Sequence, residues 1–93
     1  MIKSFATAAT ESIWQGYRTP ELPATIHSAA LRKLRQLDAA VELSFLNAPP
    51  GNKLHRLSGD REGQFAIWIS CKYRLCFRWD GSNCHEVEIT DYH

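Results

Sequence analysis

Lysine and arginine gather in the second half of this chain, at Lys53, Arg56, Arg61, Lys72, Arg74 and Arg78, with His55 among the first of them. Asp80, Glu86, Glu88 and Asp91 follow, and the sequence closes Asp91-Tyr92-His93. Guanidinium groups fork onto phosphate or carboxylate oxygens, and ammonium groups act on them as point charges. Histidine exchanges protons near neutral pH. The formal net charge is only +1, which argues against holding nucleic acid by bulk electrostatics. The layout suits a local anionic site rather than a wide adhesive surface. A lone histidine is most often an ordinary surface or packing residue, and a charge run is most often a solvated face. The ending favours a site, because it places titratable and aromatic groups where an unneeded tail is normally polar and frayed.

Strands must position these groups. Phe65, Ile67 and Ile69 alternate with Ala66, Trp68 and Ser70, and Tyr73, Leu75, Phe77 and Trp79 alternate with Lys72, Arg74, Cys76 and Arg78, the period-two mark of half-buried strands. Asp80-Gly81 reads as a tight hairpin turn. A third strand from about His85 to Tyr92 completes an antiparallel meander. Successive residues point to opposite faces, so one face is apolar and the other carries Lys72, Arg74 and Arg78. The second face reads equally well, from the pattern alone, as a solvated surface or as one open to a partner.

The apolar face needs a cover. Ile26, Ala30, Leu34, Leu37 and Val41 recur at spacings of three and four, a helical stripe in a helix that begins near Pro23, since proline suits a first turn. Arg32, Lys33 and Arg35 around it read as a solvated face. Ahead of it, Thr7 caps a brief helix with Ile13 and Trp14 on its apolar side and Gly16 at its end. Ile2 to Phe5 reads as a short strand added to the sheet. Ala48-Pro49-Pro50-Gly51-Asn52 breaks the helical region. The next stretch, Lys53 to Arg61, is a loop or short strand pinned by Leu54 and Leu57, from which His55, Arg56 and Arg61 project.

The 93 residues suit one domain, 1–93, with a modest core. No apolar run approaches the ~20 residues of a membrane span, and Met1-Ile2-Lys3-Ser4-Phe5 lacks the apolar core of a signal peptide, so the expected location is the cytoplasm. Cys71, Cys76 and Cys84 are odd in number and form no CxxC pair, which indicates neither a disulfide framework nor a zinc knuckle. Cys84-His85 has no second ligand pair in view, so no metal site is expected. Phosphate-loop glycines, nucleophilic serine motifs and internal repeats are absent from the sequence.

Taken in order, the opening Met1-Ile2-Lys3-Ser4-Phe5, the Pro49-Pro50-Gly51-Asn52 loop, Leu54-x-x-Leu57-x-Gly59, Tyr73-Arg74-Leu75-Cys76-Phe77 and Val87-Glu88-Ile89-x-Asp91-Tyr92-His93 make the whole chain resemble the HigB toxins of the RelE/ParE superfamily. The resemblance implies a small α+β RelE-like domain, an antiparallel sheet covered on one face by two N-terminal helices. It further implies a type II toxin-antitoxin toxin that cuts translated messenger RNA in the A site of the 70S ribosome, without metal or other cofactor. A helix-turn-helix, HigA-like antitoxin would neutralise it and provide the only link to operator DNA. In such a nuclease His93 would transfer protons and Arg74 would hold phosphate oxygens. Tyr92 would stack on a base or hydrogen-bond near the scissile group, Asp91 would orient its neighbours, and His55 would line the loop side with Arg61. Lys53, Arg56, Arg61, Lys72 and Arg78 would bind RNA phosphate.

Two departures remove a cation each: Ser58 stands where some relatives carry lysine, and Trp68 where many carry arginine. The competing readings are a ParE-like inhibitor of DNA gyrase and an inactive homologue serving only as corepressor. The terminal Asp91-Tyr92-His93 favours the nuclease, because gyrase inhibition gives no reason for a proton-transfer group there.

Overall fold

The computed structural model describes residues 1–91, leaving Tyr92 and His93 outside the described residues. Two helices, α1 (Ala8–Trp14) and α2 (Ala24–Ala39), precede the strands β1 (His55–Arg56), β2 (Phe65–Trp68), β3 (Tyr73–Trp79) and β4 (Cys84–Asp91). The strands form one antiparallel sheet in the order β1-β2-β3-β4. The two helices cover one face of this sheet, giving the expected small α+β architecture. No helix among the described residues is long and apolar enough to cross a membrane.

Local chemistry fixes the helix ends. The Thr7 hydroxyl accepts from the Thr10 amide at 3.2 Å, capping α1 and satisfying one of the amide groups that a first turn leaves without partners. At the other end Gly16 takes φ +89°, its amide donating to the Ile13 carbonyl and that of Tyr17 to the Ser12 carbonyl. That pairing closes a helix through a left-handed glycine. Pro23 stands immediately before α2, as its sequence suggests.

The core lies between α2 and the inner sheet face. Ile26, Ala30, Leu34 and Leu37 of α2 are buried with Ile67, Leu75, Phe77, Val87 and Ile89. Val41 departs from the expected stripe. Helix α2 ends at Ala39, Ala40 turns extended, and Val41 is 65% exposed. Leu46, on a 3-10 turn (Leu43–Asn47), enters the core instead. Lys33 also differs from a solvated group. It donates to Asn52 Oδ1, and the Asn52 amide donates to Gln36 Oε1 at 3.3 Å and to the Leu46 carbonyl at 3.0 Å. Burial, with Arg32 next to it, lowers the Lys33 pKa. Asn52 is thereby a fully buried polar knot tying the loop before β1 to α2.

Three further elements differ in detail. Ile2 and Phe5 make only isolated parallel bridges, to Cys84 and Val87, rather than a strand. They meet β4 where its register shifts and Glu86 takes φ 53°; the Ser4 hydroxyl accepts the Glu86 amide there. The hairpin turn is longer than Asp80-Gly81, since the Asp80 amide donates to the Asn83 carbonyl and the Asp80 carboxylate accepts from the Ser82 and Asn83 amides. His85 at 2.7 Å, helped by those amides, holds the Asp80 carboxyl well below the usual carboxylate range. The third meander strand begins at Cys84, whose thiol is pushed up to about 11 by burial.

Leu75 has no exposed surface and sits at the centre of the ladder, opposite Ile67 and Ile89. Leu75→Ala should therefore cost about 2 to 5 kcal/mol, a large share of what so small a domain possesses. A urea titration checks this, and a midpoint equal to that of the wild type would disprove the packing assignment.

Candidate active site

The outer sheet face is built by the side chains that alternation turns away from the helices. His55 pairs with Ala66, Ala66 with Cys76 and Cys76 with Glu88, while Trp68 pairs with Arg74 and Arg74 with Thr90. Because β1 is only two residues long, the chain beyond it leaves the sheet plane and turns through Gly59–Arg61 before re-entering at β2. Gly59 takes φ +64° there, a conformation costly for residues with a side chain. The result is a cleft of about 440 Å³ whose lining includes His55, Ser58, Asp60, Arg61, Arg74 and Asp91.

Arg74 is the chemical centre of this cleft, and it is 4% exposed. Its Nη1 lies 2.6 Å from the Ser70 carbonyl, 3.1 Å from that of Cys71 and 3.2 Å from that of Tyr73. Two of the carbonyls belong to the turn between β2 and β3 and the third to the first residue of β3, so the turn and the guanidinium hold each other. The guanidinium carbon also lies 3.8 Å from the centroid of the Trp68 ring, an attractive placement for a cation over an aromatic face. A buried charge requires such partners. The two hydrogens of Nη1 are shared among the three carbonyls.

His55 has one ring nitrogen hydrogen-bonded to the backbone. Its Nδ1 is 2.9 Å from the Lys53 carbonyl, which can only accept, so in the neutral ring Nδ1 carries the hydrogen and Nε2 the lone pair. Arg61 donates to Gln64 Oε1 at 3.1 Å and to Glu88 Oε1 at 3.2 Å, and the bond to Glu88 raises its pKa. The cleft is thus less cationic than the sequence suggests. Among the described lining residues, the two arginines Arg61 and Arg74 stand with two carboxylates, Asp60 and Asp91.

Of the residues that the sequence nominates, His55, Arg61, Arg74 and Asp91 come together. Tyr92 and His93 lie outside the described residues. Lys53, Arg56, Lys72 and Arg78 do not line the cleft. Lys72 is exposed in the β2–β3 turn rather than on the strand face. Arg78 pairs with Glu86 at 2.9 Å, beside the hairpin. Arg56 lies over Phe65, 5.1 Å from its centroid. Lys53 has its ammonium 3.8 Å from the centroid of the Trp68 ring. Sequence reading missed Asp60, Ser58 and Thr90 as lining residues, and it treated Trp68 only as a lost cation. A tryptophan placed by alternation on the same face as an arginine was the available signal. Among the described residues no three His, Cys, Asp or Glu side chains gather as a metal site would need.

A helix-covered four-stranded antiparallel sheet with a polar cleft around a buried arginine defines a small α+β fold. A solved YoeB/ParE toxin from Agrobacterium tumefaciens has this fold, with a TM-score of 0.53 over 98% of each chain at 21% identity. The family model for the RelE-like toxin of type II toxin-antitoxin system HigB matches residues 3–93, and the chain belongs to that family. Toxin HigB-1 of Vibrio cholerae is 43% identical over 58 residues, 62% of this chain and 61% of that protein, so the match spans less than two thirds of it. Endoribonuclease HigB of Proteus vulgaris is 31% identical over 93 residues, the full length of both chains.

The loop that begins the site hangs on Asn52. Asn52→Ala should leave the Lys33 ammonium and the Leu46 carbonyl without their partner and cost roughly 1 to 3 kcal/mol. Thermal unfolding followed by circular dichroism checks this; an unchanged midpoint would show that the knot does not hold the loop.

Proposed function

We propose that this protein is a ribosome-dependent endonuclease of translated messenger RNA. The observation that carries the reading is the meeting of His55, Arg61, Arg74 and Asp91 in one cleft. Membership of a toxin family and full-length similarity to a protein named an endoribonuclease support it.

Cleavage of RNA needs no external nucleophile. The 2′-oxygen attacks the neighbouring phosphorus as a base takes its proton, the bond to the 5′-oxygen breaks, and an acid returns a proton to that oxygen. The products are a 2′,3′-cyclic phosphate and a 5′-hydroxyl. Arg74 is assigned to the charge that grows on the phosphoryl oxygens, because a charge held in place away from water acts strongly and needs no reorganisation. His93 is assigned to proton transfer, Tyr92 to stacking on a base and Asp91 to orienting its neighbours. His55, with Nε2 carrying the lone pair, is the second proton-transfer candidate. Carboxylates standing with the arginines in the cleft support a division of labour in which the ribosome holds the message in its A site and the toxin supplies the chemistry. Arg61 is the phosphate contact nearest that chemistry, and Lys53, Arg56, Lys72 and Arg78 contact more distant phosphates or ribosomal RNA. The reaction as assigned uses side chains alone, without a metal ion. A helix-turn-helix antitoxin restrains the toxin and supplies the only contact with operator DNA.

Brief induction of the chain without an antitoxin, followed by mapping of RNA 5′ ends, tests the function. Discrete cuts inside translated codons are expected, whereas intact messages with damaged DNA would refute it. Removing His93 alone should lower single-turnover cleavage of ribosome-bound message by about 10²- to 10⁴-fold. Cleavage at the wild-type rate by the truncated protein would move the proton-transfer role to His55.

A further inference from the structure

Trp68 is the one aromatic ring among the described residues with two cations stacked against it. Lys53 Nζ and the Arg74 guanidinium carbon each lie 3.8 Å from the ring centroid. The two arrive from different places. Arg74 sits directly opposite Trp68 in the β2–β3 ladder, while Lys53 follows the buried Asn52 and takes φ 48° to leave its 3-10 turn.

We propose that Trp68 is a positioning residue of Arg74. The carbonyls of Ser70, Cys71 and Tyr73 hold Nη1 of Arg74, and the indole face holds the guanidinium carbon itself, 3.8 Å from the ring centroid, by the attraction of a cation to an aromatic face. A forked donor held in place before substrate arrives needs no ordering in the transition state. Through Lys53, the same ring ties the segment leading into β1, the strand that carries His55, to the strand that carries Arg74, so one side chain fixes the spacing across the cleft. The role in catalysis rests on the nuclease reading above; the positioning itself does not.

Two measurements separate these claims. The first is the nitrogen-15-edited spectrum of the arginine Nε–H groups of the free protein, for wild type, Trp68→Phe and Trp68→Leu. The indole ring current should displace the Arg74 Nε–H resonance in the wild type. Trp68→Phe should keep part of that displacement and Trp68→Leu should abolish it. The second is single-turnover cleavage of ribosome-bound message. Trp68→Leu should lower the rate constant about 10- to 100-fold, with the half-saturating ribosome concentration nearly unchanged, and Trp68→Phe should recover most of the loss. In an Arg74→Gln background Trp68→Leu should add less than about 2-fold, because its effect runs through the missing guanidinium.

An Arg74 resonance unmoved by loss of the indole would overturn the proposal. So would a Trp68→Leu penalty of equal size with and without Arg74. Should Trp68→Leu not fold, Trp68→Phe decides: a resonance at the ordinary arginine position together with a wild-type rate overturns it. If the wild-type protein cuts no ribosome-bound message, the nuclease reading fails and the spectrum alone decides the positioning claim.

Discussion

The burial of the Arg74 charge is the constraint on which the rest of the site depends. A guanidinium removed from water must keep its hydrogen bonds and its favourable field. Here the Ser70 and Cys71 carbonyls of the β2–β3 turn, the Tyr73 carbonyl at the start of β3 and the Trp68 ring contribute to both. The turn is therefore held to the shape of the arginine, and the arginine is held to the shape of the turn. An exposed lysine such as Lys72 on the same turn is under no such constraint. The difference separates a group built into a site from one that decorates a surface.

The two faces of the sheet do different work, and the chain reconciles them along β3. Leu75 and Phe77 face α2 and have no exposed surface. Arg74 and Cys76 face outward, yet they are almost as well buried, because the loop from β1 through Gly59–Arg61 closes over that side. That loop is anchored at its start by Asn52 on Lys33 and Gln36 of α2. Helix α2 therefore contributes to the cleft without touching it, by carrying the core on one side and holding the loop at its end.

Much of this was legible in the sequence, for reasons that differ by element. The spacings of Ile26, Ala30, Leu34 and Leu37 and the alternation through Tyr73–Trp79 are repetitive signals, and burial of an apolar face enforces them. Thr7 and Gly16 were readable because capping is local. Val41 misled because the stripe continued past the point where the backbone turned extended at Ala40. The charges were the least legible part. Alternation placed Arg74 and Arg78 on one face, but it could not tell that Arg78 would find Glu86 while Arg74 would be enclosed. Lys33 looked like part of a solvated run because its partner, Asn52, lies 19 positions away. Trp68 looked like the loss of a cation, whereas in space its ring gathers two.

The most direct test of the account is single-turnover cleavage of ribosome-bound message by Arg74→Gln, a change that removes the charge while keeping a long side chain able to donate to the turn. With the variant shown by circular dichroism to be folded and by co-sedimentation to bind ribosomes, the account predicts a rate lower by about 10²- to 10³-fold, the loss expected when one preorganised stabiliser of transition-state charge is removed. A folded, ribosome-bound Arg74→Gln protein that cuts at the wild-type rate would contradict it.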